Sequence, residues 1–469
     1  MKMWSGRFRQ PLDPQFERWQ RSFDFDRRLL GYELAASGAH ARALKNAGVL
    51  SADELISILQ GLQQIGEMAA AQKGLVEDDE AEDVHHFVER QLVARIGEAG
   101  YKLHSGRSRN EQIATDLRLY VRVAIDELRK ELAEVCGAFT GRAEQSGNAL
   151  MPAYTHLQHA EPVLVGHWLL AYVEMFLRDA DRLADCRRRL NLCPLGSGAV
   201  VGATLPLDRA FMAGELDFAG PTANSIDATS DRDFILEFVS ALSLLSVHLS
   251  RWAEEMILFS SQEFGFVLLP EAFSTGSSAM PQKKNPDLLE LVRGKAGRVI
   301  GSATALLVTL KALPLAYNKD LQETQEPLFD AADTALRALP PIAGFMKAVE
   351  FDEVRMNQAA QAGFMNAWAA ATYLVNRGTP SRLAHAVIGK AVKLCLEKNC
   401  ELQDLTLDDL RGLHLGFDES FNDCLKPAAV LAIHDVVGGT APARVRQGIA
   451  AAKKKIESLR EEINFHAHA

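Results

Sequence analysis

Cysteine is scarce in this chain. Its 469 residues include six (Cys136, Cys186, Cys193, Cys395, Cys400 and Cys424) and no CxxC pair, which argues against a disulfide framework and a zinc ribbon. Buried, reduced thiols are the expectation. Cationic charge is also in deficit: 51 Lys plus Arg stand against 61 Asp plus Glu, a net charge of −10 that repels a phosphate backbone. Nucleic acid is therefore not an expected partner. No segment approaches the roughly 18 uninterrupted apolar residues of a membrane span, and no apolar stretch follows the basic start at Met1 to Gln10. The expectation is a soluble, cytoplasmic chain with no membrane partner.

Several chemical signatures are missing too. HExxH is absent; His85-His86, and His156 and His159 three residues apart, carry no metal-binding pattern of their own, so no metal is expected. Gly196-Ser197-Gly198 followed by Gly202 misses the GxGxxG spacing and reads as a tight turn. Runs of alternating β-branched residues between turn signals are few.

What is present is helical. Ser51-Ala52-Asp53-Glu54 has capping-box form, followed by Leu55, Ile58, Leu59, Leu62 and Ile65 at helical spacing. From about Glu111 a stripe of Ile113, Leu117, Val121, Ala124, Leu128, Leu132, Val135 and Phe139 predicts one helix of about 30 residues before Pro152. The pattern returns over 163–190, 231–261 and 287–313, where Pro314 stops it. Four long helices thus make the middle of a mainly α chain. Apolar residues surround the 231–261 helix on nearly every side, from Phe234 to Leu249, which predicts burial all round in a bundle shared between subunits. Shorter helices follow residue 360, one opened by Thr379-Pro380-Ser381 with Leu383, Val387, Ala391 and Cys395 on a face, and a charged helix closes the chain. Three helical domains are expected, at 1–108, 109–358 and 359–469, the second being the long-helix bundle.

Chemistry is most legible in the loop from Ser274 to Asp287. Its small residues let backbone N–H groups converge on an anion, Lys283 and Lys284 add charge, and Asp287 can start the next helix. It lacks the GxxxxGK[ST] spacing of a nucleotide phosphate loop.

This loop, ending Gln282-Lys283-Lys284-Asn285-Pro286-Asp287, resembles the signature of the aspartase/fumarase superfamily, and within it the argininosuccinate lyases. The resemblance runs along the chain in order: Ser22-Phe23-Asp24-Phe25-Asp26-Arg27-Arg28-Leu29, Glu82-Asp83-Val84-His85, Ser105 to Glu111, Thr155-His156-Leu157-Gln158, Pro194 to Gly198, Ser230-Asp231-Arg232-Asp233, Tyr317 to Glu323, and Gly438-Gly439-Thr440-Ala441-Pro442. It implies reversible cleavage of argininosuccinate to arginine and fumarate without metal or organic cofactor. It further implies a homotetramer around a central bundle, with each active site collected from three subunits. By similarity Ser277 is the general base, Lys283 stabilises the carbanion, and Glu290 supports His156; His156 or a water it holds is the expected acid. Ser22, Asn110, Thr155, Tyr317 and Gln322 are implied in substrate binding, with Arg109 and Arg232 as carboxylate clamps. One position departs: where the family commonly has lysine, this chain has Gln325, in Thr324-Gln325-Glu326, so a cation at the substrate is missing. The alternatives are another fumarate-releasing lyase of the superfamily or a structural protein on this fold, of the delta-crystallin type.

Overall fold

The structure is a computed structural model describing residues 10–72 and 76–468, without side chains for 465–468. All of Met1 to Gln10 except Gln10 lies outside these residues. The principal helices in chain order are α1 (Leu30–Asn46), α2 (Ala52–Ala71), α3 (Val84–Ile96), α4 (Arg109–Gln145), α5 (Val165–Leu190), α6 (Asp233–Ser260), α7 (Asp287–Leu310), α8 (Gln325–Ala348), α9 (Ser381–Lys398) and α10 (Pro442–His468). Among the described residues, strands are confined to three two-stranded antiparallel sheets: β1 (Leu150–Thr155) with β2 (Gln158–Leu164), β3 (Val267–Leu268) with β6 (Glu350–Phe351), and β4 (Thr275–Gly276) with β5 (Lys284–Asn285).

Capping chemistry sets the starts. Ser51 accepts from Glu54 N–H at 3.2 Å while Glu54 accepts from Ser51 N–H at 2.9 Å, so the capping box of α2 forms as its sequence predicts. A second box opens α4: Asn110 N–H donates to Ser108 Oγ at 3.3 Å, and Ser108 N–H to Glu111 Oε1 at 3.0 Å. At 37 residues α4 is longer than expected. It ends well before Pro152, at a turn where Gly147 takes φ 53°. Pro152 instead pairs with Pro162 across the hairpin, and Val163 and Leu164 belong to β2, so α5 starts two residues late.

The bundle has five long helices in its middle where the periodicity predicts four. The fifth, α8, contains Pro340 and Pro341 and still continues to Ala348. Contacts fix the directions. Arg118 of α4 donates to Leu190 O at the end of α5 at 2.8 Å and pairs with Asp231 just before α6. At the other end the Phe259 ring of α6 lies 5.8 Å from Tyr154 and 5.6 Å from Trp168. Arg142, near the end of α4, donates to Lys347 O of α8 at 2.7 Å. Thus α4, α6 and α8 run one way, and α5 and α7 return. The final helix α10 lies antiparallel along α4, with Lys453 donating to Glu144 at 2.7 Å and Arg129 to Glu462 at 2.6 Å.

Trp252, Phe139, Phe176 and Phe345 form the middle of the main core, and a separate cluster, including Tyr373, Phe417 and Phe421, serves the smaller helices. Leu383 stands outside that cluster, 49% exposed, because Ala384 and Ile388 take the inner face of α9 beside Val387, Ala391 and Cys395. The thiols of Cys136, Cys186, Cys193 and Cys395 are buried, but Cys400 and Cys424 are only half-buried.

α6 is long and apolar enough to cross a membrane by composition alone, yet half of its most apolar window is buried inside the chain. The rest is not: Leu244 and Val247 are exposed, alongside Leu291, Ile300, Leu307 and Val308 of α7. Burial on every side is therefore not achieved within one chain, and an apolar face remains along α6 and α7.

Candidate active site

The bundle directions gather polar loops at both of its ends. At one end stand the starts of α4, α6 and α8. Ser22 Oγ donates to Asp26 Oδ2 at 2.6 Å, and Asp26 Oδ1 accepts from Val84 N–H at 3.0 Å. Asp83 caps α3, accepting from His86 N–H at 2.7 Å, while Arg109 Nη1 donates to Asp83 Oδ2 at 3.0 Å. Burial, together with the neighbouring Asp83 charge, pushes the Asp26 carboxyl up to about 7.

Arg232 is fully buried at the same end. It donates to Asp231 O at 2.7 Å, but its Nε and Nη2 have no partner among the described residues. Burial lowers its pKa to about 10, so it remains a cation at neutral pH. Tyr317 lies within electrostatic reach of Arg232, Asp83, Asp26 and Glu82, and burial raises its phenol. Gln322 Nε2 donates to Gln20 O at 3.2 Å, while the buried Gln325 leaves Oε1 unpartnered. A desolvated guanidinium with two idle nitrogens has the geometry to take a carboxylate in bidentate fashion, and the acidic pair Asp26 and Asp83 suits a cation.

Asn110 faces a turn on the same side, donating from Nδ2 to Ala199 O at 3.1 Å. Glu111 locks that turn by accepting from Gly198 N–H at 3.0 Å. Gly198 has φ 62°, and a Cβ there would lie 2.6 Å from Gly202 O, so only glycine closes the loop. The tight-turn reading of Gly196-Ser197-Gly198 holds.

At the other end β1 and β2 meet in a two-residue turn, His156 and Leu157, with φ 55° and 57°. Both central residues lie in the left-handed region that usually calls for Asn or Gly, so this tip carries backbone strain. It presents Thr155 and His156 to the outside, and His156 is neither a core nor a capping histidine. Tyr154 braces the base of the tip, its ring 5.8 Å from Phe264.

The Ser274 to Asp287 loop is at this end as well, folded as the β4/β5 hairpin. Ala279 and Met280 N–H donate to Ser277 Oγ at 3.3 and 3.1 Å, an arrangement that favours the alkoxide form of the hydroxyl. Thr275 Oγ1 donates to Asp287 Oδ2 at 2.5 Å, holding the hairpin on the first turn of α7. Lys284 is tied back to Leu269 O at 3.0 Å, whereas Lys283 is exposed without a partner among the described residues. Glu290 is exposed one turn into α7.

The expected site residues therefore fall into two sets. Ser22, Arg109, Asn110, Arg232, Tyr317, Gln322 and Gln325 occupy one end, and Thr155, His156, Ser277, Lys283 and Glu290 the other. Among the described residues no hydrogen bond or ion pair joins the two sets, or joins His156 to Ser277, Lys283 or Glu290. Asp26, Asp83 and Glu111 were not singled out from the sequence. All three stood in quoted motifs, but their burial and their contacts are tertiary facts.

An antiparallel long-helix bundle, with an anion-suited hairpin between two of its helices and polar sets at both ends, defines a lyase of the aspartase/fumarase superfamily, and the family model described as "Lyase" matches residues 6–301. A solved EDDS lyase in complex with formate is similar over 98% of this chain and 93% of its own, at 27% identity and a TM-score of 0.86. A class II fumarase from Schistosoma mansoni, 17% identical over 87% of this chain and 91% of its own, shares the fold at a TM-score of 0.74.

The narrower match follows from the C-terminal part, where residues 364–432 fit the model described as "Argininosuccinate lyase C-terminal". The chain is 60% identical to the argininosuccinate lyase of Koribacter versatilis (strain Ellin345), over 98% of this chain and 99% of that one. It is 57% identical to that of Acidobacterium capsulatum, over 98% and 96%. The chain belongs to the argininosuccinate lyase family.

Proposed function

We propose that this chain reversibly eliminates fumarate from argininosuccinate to give arginine. The observation that carries the reading is full-length agreement with argininosuccinate lyases, at 60% identity over 98% of the chain. The two polar sets have the chemistry the reaction needs. Ser277 Oγ takes the carbon-bound proton next to a succinyl carboxylate, giving a dianionic aci-carboxylate. Lys283 and the loop N–H groups stabilise that charge. The C–N bond then breaks, its electron pair going to the guanidino nitrogen, which receives a proton from His156 or a water it holds; Glu290 steadies the imidazole. At the other end Arg232 and Arg109 clamp carboxylates, Ser22, Asn110, Tyr317 and Gln322 orient the substrate, and Asp26 and Asp83 face its cationic half; Thr155 contributes to binding from the Ser277 end.

Since the two sets lie at opposite ends of one bundle, a complete site takes segments from more than one copy, and we infer a homotetramer built on the apolar face of α6 and α7. Three domains, 1–108, 109–358 and 359–469, in a cytoplasmic enzyme complete the reading. A second reading, a lyase that releases fumarate from a different substrate, is favoured only by Gln325 in place of the family's cation.

The deciding experiment incubates the purified protein separately with argininosuccinate, adenylosuccinate, aspartate and malate, following fumarate by its ultraviolet absorbance. Fumarate from argininosuccinate alone is expected. Fumarate from any of the others instead would replace the substrate assignment.

A further inference from the structure

Beneath the Arg109 end lies a buried cluster to which no step above gives a role. His85 Nδ1 is 2.8 Å from Glu33 Oε2 and 3.8 Å from Asp116 Oδ2, and these three ligand-type atoms lie within 4.8 Å of one another. Each residue comes from a different helix: Glu33 from α1, His85 from α3 and Asp116 from α4. All three are buried. Glu33 Oε1 also accepts from Ser37 Oγ at 2.6 Å and Gln112 Nε2 at 3.0 Å, and Arg107 lies 3.8 Å away.

The charges in this cluster are divided by proximity. Burial disfavours charge on His85, yet Glu33, Asp83 and Asp26 outweigh it and hold the imidazole above its ordinary value. Burial would also neutralise Glu33, but His85 and Arg107 keep its carboxyl well below the usual range. Asp116 goes the other way, raised well above the carboxylate range by burial and by the Glu33 charge. Neither Asp116 oxygen has a hydrogen-bond partner among the described residues, so a neutral carboxyl there avoids an unpaired buried charge beside Glu33.

His85 is one residue beyond Val84, whose N–H holds Asp26, and two beyond Asp83, which binds Arg109. Whatever fixes His85 thereby fixes the first turn of α3, with Asp83 at its cap and Asp26 held by its Val84 N–H. We propose that Glu33, His85 and Asp116 are positioning residues that pin the start of α3 between α1 and α4, so that Asp26 and Asp83 hold the cationic half of the substrate in register. The proposal rests on the reading that this end binds the arginine part of argininosuccinate. Its effect falls on substrate binding and not on bond cleavage, because the proton-abstracting loop is at the other end of the bundle.

The test compares full-length His85→Gln, Asp116→Asn and Asp116→Ala with the unsubstituted protein in steady-state fumarate release from argininosuccinate. His85→Gln is expected to raise KM at least about tenfold while kcat stays within about threefold. Asp116→Asn, a neutral group of the same size as the protonated carboxyl, should remain within about threefold in both constants, and Asp116→Ala, which leaves a cavity beside Glu33 and His85, should behave like His85→Gln. A fall in kcat at unchanged KM for His85→Gln, or equal damage from Asp116→Asn and Asp116→Ala, overturns the proposal. If circular dichroism shows His85→Gln unfolded, Glu33→Gln, which keeps a hydrogen-bond acceptor but drops the charge, is judged by the same KM and kcat criteria. An unsubstituted protein inert toward argininosuccinate would instead sink the functional reading, so the two failures are distinguishable.

Discussion

Asn110 and His156 belong to opposite ends of one helix. Asn110 lies in the first turn of α4, which is 37 residues long and so spans roughly 55 Å, and His156 tips the hairpin that follows its far end. Tyr154 holds that hairpin against Phe259 and Phe264 beyond the corresponding end of α6, so it does not fold back toward Asn110. A substrate that touches both residues must touch two chains.

This makes complementation a direct test. Asn110→Ala and Ser277→Ala proteins, each nearly inactive alone, are expected to regain activity when co-refolded, since mixed oligomers contain sites with both residues intact. Activity of verified mixed oligomers no higher than either parent would show that the two residues act within one chain.

Ser277→Ala removes the proposed proton acceptor while leaving the binding end untouched. kcat should fall by at least about 10² to 10⁴ with little change in substrate binding. Turnover near that of the unsubstituted protein would eliminate Ser277 as base.

Gln325 offers a test of the departure from the family pattern. Its Oε1 is buried and unpartnered. Gln325→Lys is expected to lower KM about tenfold, the effect of about 1.4 kcal/mol, near the lower range for a charge-assisted hydrogen bond. A raised KM with an unchanged thermal midpoint would mean that this protein has repacked around the amide.

Asp26 predicts a pH dependence. With its carboxyl pushed up to about 7 by burial and the Asp83 charge, Asp26 is largely protonated below that pH and ionised above it. A cationic group of the substrate favours the ionised form, so KM should fall as pH rises through about 7 and level off above. Asp26→Asn, whose single amide oxygen can accept from the Val84 N–H while its NH2 turns to the Ser22 hydroxyl as a donor, should flatten that dependence. An unchanged KM profile in the variant would place the titration elsewhere.

Much of the architecture was legible because it is local. Helical periodicity and the Ser51 capping box found α2, and the stripe from Ile113 to Phe139 found α4, since each depends on neighbours a turn or two away. Where the local signal was contradicted, packing had overridden it. Pro340 and Pro341 lie inside α8, and Leu383 points out because Ala384 and Ile388 fit the inner face of α9 better. The ordered motifs also carried the family, because each keeps its residue types together in sequence.

The chain's amino-acid order by itself determined its helical class, its net negative charge and the residue chemistry of the Ser274 to Asp287 loop, all of which follow from composition and short-range spacing. Tertiary structure alone decided which motifs meet. The direction of each long helix sends Arg232, Tyr317 and Asp26 to one end and Ser277 and His156 to the other, and burial then moves Asp26 and Asp116 away from ordinary carboxylate behaviour. Neither effect can be read from spacing, because the field at a side chain is set by groups tens of residues away in the chain and a few ångströms away in space.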